Sequence, residues 1–221
     1  EFLMVGAYLT WLFQTSYGLS PLLMVPVSFV VLLVLGVVVH FLCFRRLTAT
    51  SPNLDVFEAR GLMVAFGLMF LVQNFASWMW GGELRGYDYM TEPLKLGEAQ
   101  FAANKLLVFF LALVFSGALI VLLRMTLLGK GVRALMQSPI GAQLMGIDTK
   151  RLHPLMFGIG LGLSGIAGAL LSMAYTITPF MGQPYTVTAL IVITLGGFGS
   201  MGGALIGGLF LGVIEALGMH F

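Results

Sequence analysis

Long apolar runs, each closed by a short polar or charged segment, organise this chain from end to end. A helix needs about 20 mostly apolar residues to cross the roughly 30 Å hydrocarbon core of a bilayer. Four runs meet or approach that length: Leu22 to Phe44, Gly61 to Trp80, Leu106 to Leu123 and Pro154 to Tyr175. A fifth, Phe2 to Tyr17, is shorter and opens abruptly. The stretch Val187 to Phe221 is also apolar. As one straight helix it would reach roughly 52 Å at about 1.5 Å per residue, well beyond the core. The excess is expected to be absorbed at Gly196-Gly197-Phe198-Gly199-Ser200-Met201-Gly202-Gly203, giving two shorter helices joined by a glycine turn or a re-entrant pair. The pattern predicts an all-α polytopic membrane protein with about six to seven helices.

Composition narrows the class. Only 9% of the residues are charged and 59% are hydrophobic, where a soluble domain carries about 25% charge. The mean hydropathy is +1.00. A soluble core of this size would need a charged shell that this chain cannot supply. The net charge of +2 is too small for a nucleic-acid footprint. The single cysteine, Cys43, excludes an internal disulfide and lies in an apolar run. His40 and His220 have no second ligand at metal spacing, so no metal is expected. No polar stretch exceeds about 30 residues, too short for a core of its own. Residues 1–221 are therefore read as one membrane domain with two notable loops, 81–104 and 124–153. The chain begins with Glu1 rather than Met and shows no signal peptide, and a preceding segment is expected.

The charges orient the spans. Arg45, Arg46, Arg60, Arg124, Lys130, Arg133, Lys150 and Arg151, eight of the eleven basic residues, fall on one side if the five clear spans alternate. The positive-inside rule makes that side cytoplasmic. The opposite loop carries Glu83, Asp88, Glu92 and Glu98 against Arg85 and Lys95. Trp78, Trp80, Tyr87 and Tyr89 fit an aromatic belt at that outer boundary.

Fifteen of the 29 glycines lie after residue 150. Gly158 and Gly162 form a GxxxG pair, and Ser164 and Gly168 continue small residues at that spacing. Ala204, Gly208, Gly212 and Ala216 repeat every fourth position, with Gly199, Gly203 and Gly207 in a parallel ladder. Small residues so spaced let helix backbones approach closely, either as plain packing or as a surface that rocks between two arrangements. Few polar groups lie within the spans. Gln73 and Asn74 need partners in hydrocarbon, either along a polar path or across to another helix. Glu215 reads as a gate, a substrate contact or a helix-to-helix bond, or else as a boundary residue that meets water. Thr178-Pro179-Phe180-Met181-Gly182 suggests a structured turn near the outer mouth of a path, or a plain connector.

Catalytic motifs are absent. Gly129-Lys130-Gly131 fails the phosphate-loop pattern, which would need Gly where Arg124 stands and Ser or Thr where Gly131 stands. Energy must come from an ion gradient or another subunit. With Glu215 as the one carboxylate recognised inside a span, the balance favours a separate motor over an ion-coupled carrier or facilitator, which remains the alternative. A motor could grip the loop 124–153. There Ser138 as cap and Pro139 at the first position start a short helix, and Gly146 stops it after Met145. Met136, Ile140, Leu144 and Ile147 recur at helical spacing. The exposed apolar side chains mark a partner site or a helix lying on lipid headgroups.

These residues carry a resemblance. GKGVRALMQSPIGAQLMGIDTKR, from Gly129 to Arg151, resembles the cytoplasmic coupling loop of the branched-chain amino acid ABC importer permeases, the LivH-like family. EFLMVGAY at Glu1 to Tyr8 resembles the family's GE-x-x-M-x-G-A-Y segment. FLVQN at Phe70 to Asn74 resembles its FLQN, and LGGFGSMGGALIGGLFLGVIE at Leu195 to Glu215 its LGG-x-GS-x-x-GA-x-x-GG-x-x-x-G-x-x-E signature. The four stretches span nearly the whole chain in order.

The resemblance implies a bacterial inner-membrane permease without bond chemistry of its own. It would pair with a second, LivM-like or identical, permease, with two cytoplasmic ATPases that bind the ATP, and with a periplasmic solute-binding protein. It implies branched-chain amino acids, or related small solutes such as urea and short amides, as cargo. The family's EAAxxxG docking motif maps onto Ile140, Gly141, Ala142 and Gly146, so the acidic residue is missing. Docking would then rest on shape and apolar contact through Ser138, Pro139, Gly141, Ala142, Met145 and Gly146, with Arg133 and Lys150 on the rim. A bulky residue at Ala142 or Gly146 is expected to break it. Gln73, Asn74, Thr178, Gly182 and Glu215 would belong to the path, and Gly158, Gly162, Gly196, Gly197, Gly199, Gly203, Gly208 and Gly212 to helix packing. The family also implies a helix before Glu1 and one or two after Phe221.

Overall fold

A computed structural model describes residues 1–50, 54–90, 93–96, 99–197 and 199–218. Glu92, Glu98, Phe198, His220 and Phe221, named above, lie outside the described residues. The helices are α1 (Phe2–Tyr17), α2 (Pro21–Val39), α3 (Arg45–Thr50), α4 (Leu54–Trp80), α5 (Ala103–Met125), α6 (Leu127–Gln137), α7 (Pro139–Leu144), α8 (Thr149–Ser172), α9 (Gly182–Gly196) and α10 (Met201–Gly218). A π-turn over His40–Phe44 joins α2 to α3 without a break. Among the described residues, five segments are long and apolar enough to cross a membrane: Pro21–Leu47, Ala59–Trp80, Ala103–Met125, Thr149–Ser172 and Met201–Gly218. The chain is a helical, multi-pass membrane protein.

Helices α1, with 16 residues, and α9, with 15, are both shorter than a full crossing, as expected for Phe2–Tyr17 and for the two pieces of the last apolar stretch. The loop 81–104 adds a detail that the sequence reading did not give. Its second half folds back as an antiparallel hairpin, Pro93–Leu96 (β1) against Ala99–Ala102 (β2), and the backbone then enters α5 directly. This hairpin is the one departure from an all-helical chain among the described residues.

Local chemistry explains the element ends. Gly18 closes α1 in the left-handed conformation (φ 65°), which glycine adopts without Cβ strain. Ser20 and Pro21 restart the chain as N-cap and first helical residue of α2. Thr126 accepts a hydrogen bond from the Gly129 backbone N–H (3.1 Å) and starts α6. Asp148 accepts from the Lys150 N–H (3.1 Å) and starts α8, five residues before the expected Pro154.

Helix α8 is the axis of the packing. It runs antiparallel to α2 and also crosses α1. A methyl group at Gly158 would lie 2.8 Å from Val37 Cγ2, one at Gly162 2.8 Å from the Phe29 ring, and one at Gly165 2.8 Å from the Ser28 carbonyl. On the other flank, a methyl at Gly6 would lie 2.5 Å from the Gly165 carbonyl oxygen, and one at Gly168 would strike the Leu3 carbonyl. Hydrogen in place of a side chain therefore sets how closely these three helices approach. Eight basic residues lie at one end of the bundle, here called the basic end. The opposite, far end holds Gly18–Ser20, Gly81–Met90, the hairpin and Met173–Met181.

Two apolar clusters close the far end. Met4, Ala7, Tyr8, Ala76, Ile177 and Met181 form one, with Trp11, Trp80 and Tyr185 packed around them. Val25, Ile166, Ala169, Leu170 and Met173 form the other, with Tyr87, Tyr89 and Phe115 around them. The aromatic-belt reading is thereby corrected. Trp78 is 81% exposed and fits a membrane boundary, but Trp80 stacks on Tyr8 (centroids 4.6 Å apart), and Tyr87 and Tyr89 cover the second cluster. Their large apolar faces gain more from packing than from headgroups.

Tyr87 offers a direct check of this packing. Its hydroxyl donates to Ser172 Oγ (2.8 Å), because Ser172 spends its own proton on the Ala169 carbonyl (2.7 Å). Burial pushes the phenol up to about 12, and neighbouring Tyr89 adds to it. The folded state favours the neutral phenol, so this contribution to stability is complete below pH 10 and is lost as pH rises from 10 toward 12. In a difference-absorbance titration, Tyr87→Phe is expected to remove one phenol that ionises at about 12.

Candidate functional site

At the far end, the turn before α9, the first turns of α9 and the end of α10 line an open cavity of about 430 Å³. Tyr175, Thr176, Thr178, Tyr185, Thr188 and Glu215 give it a polar and aromatic lining. Thr178 starts the turn that was read from the sequence: its carbonyl accepts from the Met181 N–H (3.2 Å), and α9 follows at once. Glu215 reaches the same cavity from the far end of α10. The structure thus brings Thr178 and Glu215 together, two residues 37 apart in sequence. Lys105 Nζ lies 5.6 Å above the Tyr175 ring, at the rim.

The other residues assigned to a path are placed differently. Gly182 is the first residue of α9, and it faces Glu1 rather than the cavity. A methyl group there would lie 2.6 Å from Glu1 Oε2. Gln73 is only 4% exposed, and its Nε2 donates to Glu1 Oε1 (2.9 Å). Asn74 points away from Gln73 and donates to the Phe70 carbonyl of its own helix (2.7 Å). The two amides therefore do not share a site. Gln73 bonds across to another helix, and Asn74 is satisfied locally on an exposed face.

Two functional candidates escaped the sequence. Glu1 is the first: it lies beside Gln73, about 10 Å below the end of α4 at about 1.5 Å per residue. Glu215 is thus not the one carboxylate placed among the membrane helices. The second is Arg85. Its backbone pairs with Ile177 in both directions (3.0 and 2.7 Å), its Nη2 donates to the Trp80 carbonyl (2.7 Å), and its guanidinium lies 4.6 Å above the Trp11 ring. Arg85 ties the loop after α4 to α1 and to the strand-like segment before the cavity. The presence of an arginine in a mainly acidic loop was the available signal.

At the basic end, the segment 126–148 forms an elbow of two helices, α6 and α7, where one was expected. Ser138 ends α6 and caps α7, accepting from the Gly141 N–H (3.1 Å). Helix α7 ends at Leu144, a residue earlier than expected, and Gly146 turns the chain at φ 78°. The Ile147 N–H then donates to the Ala142 carbonyl (3.1 Å). Ala142 is 2% exposed, so its side chain belongs to the elbow's interior and not to a docking surface. The outward residues are Leu144 at 83% and Met145 at 84% exposure. Arg133 Nη2 donates to the Arg124 carbonyl (3.2 Å), and Lys150 is exposed. Beneath the elbow, Leu127, Leu128, Ile147, Leu152 and Leu155 line an apolar groove of about 300 Å³.

The glycine break separates α9 from α10, which pack as a hairpin. Gly197 and Gly199 are turn residues with φ 84° and 81°; Gly199 is therefore not a rung of a helix ladder. Gly196 and Gly203 abut so closely that a methyl at Gly196 would lie 2.5 Å from Ala204 N, and one at Gly207 would lie 3.2 Å from the Val192 carbonyl. Gly208 makes only ordinary contact with Val192 (3.8 Å), and Gly212 has nothing within 4 Å. The Gly203–Gly207 side holds the hairpin, Gly208 lies at its margin, and Gly212 faces away from it.

A multi-pass helical bundle with a polar cavity at one end and a capped helical elbow at the other is compatible with a membrane permease. Residues 1–221 match the family described as branched-chain amino acid transport system / permease component, and the chain belongs to that family. It is 31% identical over 163 residues to the high-affinity branched-chain amino acid transport system permease protein LivH of Salmonella typhimurium, covering 71% of this chain and 53% of that one. It is 27% identical over 228 residues to LivH of Escherichia coli K12, covering 98% and 73%. A probable LivH of Methanocaldococcus jannaschii is 26% identical over 220 residues, covering 98% and 69%. The chain thus spans about half the length of the Salmonella relative in its match. No solved structure matches it.

Proposed function

We propose that this chain belongs to the permease subunit of an ATP-driven importer that moves branched-chain amino acids inward by alternating access. The observation that carries the reading is the family match over residues 1–221, joined to a capped helical elbow at the basic end that presents Leu144 and Met145 outward. The basic end is cytoplasmic by the positive-inside rule, and the membrane is the bacterial inner membrane. Two ATPase subunits bind the ATP, dock on the elbow of this chain and of a second, LivM-like or identical, permease, and supply the work. The permease needs no cofactor of its own. A periplasmic solute-binding protein delivers the amino acid to the far end, where the Thr178–Glu215 cavity receives it. Closure of the ATPase pair draws the two elbows together, and the bundle rocks about the close α1–α2–α8 contacts. Vesicles holding the co-purified complex are expected to take up leucine only with ATP and the binding protein. Uptake without ATP, driven by an ion gradient, would overturn the coupling and favour the carrier alternative.

A further inference from the structure

Glu1 carries chemistry that the packing does not use. Its Oε1 accepts from Gln73 Nε2 at 2.9 Å, from a residue 72 positions away. Its Oε2 is sealed from solvent and has no hydrogen-bond partner. An unpaired carboxylate oxygen in such a place is costly unless a cation or donor reaches it. At the first residue of α9, Gly182 leaves room for the carboxylate: a methyl there would lie 2.6 Å from Oε2 and 2.7 Å from the carboxyl carbon. Met181 and Tyr185, on either side of Gly182, line the Glu215 cavity. The carboxylate therefore sits just behind the cavity wall, separated from it by the first turn of α9. That turn has no side-chain cap.

We propose that Glu1 is a substrate-contact residue, whose free oxygen receives the ammonium group of an α-amino acid once the first turn of α9 moves aside, with Gln73 as its positioning residue. The inference rests on the permease reading above and deepens it. Glu215 meets the ammonium in the open cavity, and Glu1 takes it in the interior. Cargo without an ammonium group, an amide or a simple carboxylic acid, gains nothing at either carboxylate.

The test uses the complete transporter in proteoliposomes, with radiolabelled leucine. Glu1→Gln keeps the side-chain volume and the acceptor for Gln73 Nε2 but removes the charge. It is expected to lower the maximal uptake rate at least tenfold, while ATP hydrolysis stimulated by the loaded binding protein persists. Glu1→Asp is expected to recover part of the rate. A purely structural role predicts near-normal uptake in Glu1→Gln, and that result overturns the proposal. So does equal loss of uptake and stimulated hydrolysis in Glu1→Gln, which marks a folding lesion. If the wild type proves to take up leucine without ATP, the coupling reading fails, yet the ratio of variant to wild type still judges Glu1.

Discussion

Gly168→Ala is expected to be among the most damaging single-methyl changes in this chain, whereas Gly160→Ala in the same helix is expected to be harmless. At Gly168 the added methyl would strike the Leu3 carbonyl and lie 2.9 Å from Ala7 N, both of them backbone atoms of α1. No side-chain rotation can relieve the clash, so α1 must move off α8. Overpacking typically costs about 1–3 kcal/mol, and a contact between two backbones belongs at or beyond the top of that range. Displacing α1 also loosens Met4, Ala7 and Tyr8, all fully buried in the first cluster. At Gly160 nothing lies within 4 Å, and alanine gains about 0.5–1 kcal/mol in a helix interior. Thermal unfolding in detergent, followed by circular dichroism, is expected to show a markedly lower midpoint for Gly168→Ala and an equal or higher one for Gly160→Ala. Equal midpoints for the two variants would sink the account of α8 as the packing axis.

The glycine pattern shows what a sequence discloses and what it hides. The pair Gly158 and Gly162 was legible, because four-residue spacing keeps two small residues on one helix face. Its continuation was misread. A strict four-residue ladder rotates about 40° per step around a helix of about 3.6 residues per turn, so it leaves any one face within two or three steps. The α8 contact surface follows the true helical period, Gly158, Gly162, Gly165 and Gly168, mixing steps of four and three. The same drift explains α10. Gly203 and Gly207 meet α9, while the row that ends at Gly212 turns out of the hairpin.

Burial of polar groups was harder to foresee. Gln73 could be singled out as an amide in an apolar run, but its partner lies 72 residues away and could not be read from spacing. Glu1 and Arg85 stand at element ends, where charges usually meet water. Their partial burial arises because α1 is short, so its start lies among α4 and α9, and because Arg85 pairs with Ile177 across 92 residues. The elbow lies at the other extreme. Its stop and start signals, Ser138, Pro139 and Gly146, are all local, and the structure places α7 within one residue of the reading. The inward turn of Ala142 was not local information, since it depends on how α6 and α8 bracket that helix.

That inward turn decides how docking should be tested. Ala142→Trp would disrupt the elbow from within and could not separate a lost partner from a lost scaffold. The double substitution Leu144→Asp, Met145→Asp touches only outward side chains. The scaffold beneath is held by the Ser138 cap, by the Ile147 N–H to Ala142 carbonyl bond, and by Gly146 in a conformation that glycine adopts freely. None of these involves the Leu144 or Met145 side chain. Burying an apolar side chain of this size contributes about 1.5–3 kcal/mol. Losing only the lower figure at both positions lowers affinity about a hundredfold, since each 1.4 kcal/mol is about tenfold. Placing two carboxylates against an apolar recess adds a desolvation cost in the same direction. The variant is expected to insert into the membrane at normal levels, to lose the ATPase subunits on purification, and to take up no leucine above background. Normal co-purification would mean that the motor grips a different surface, and the nearest apolar one is the groove lined by Leu127, Leu128 and Leu152.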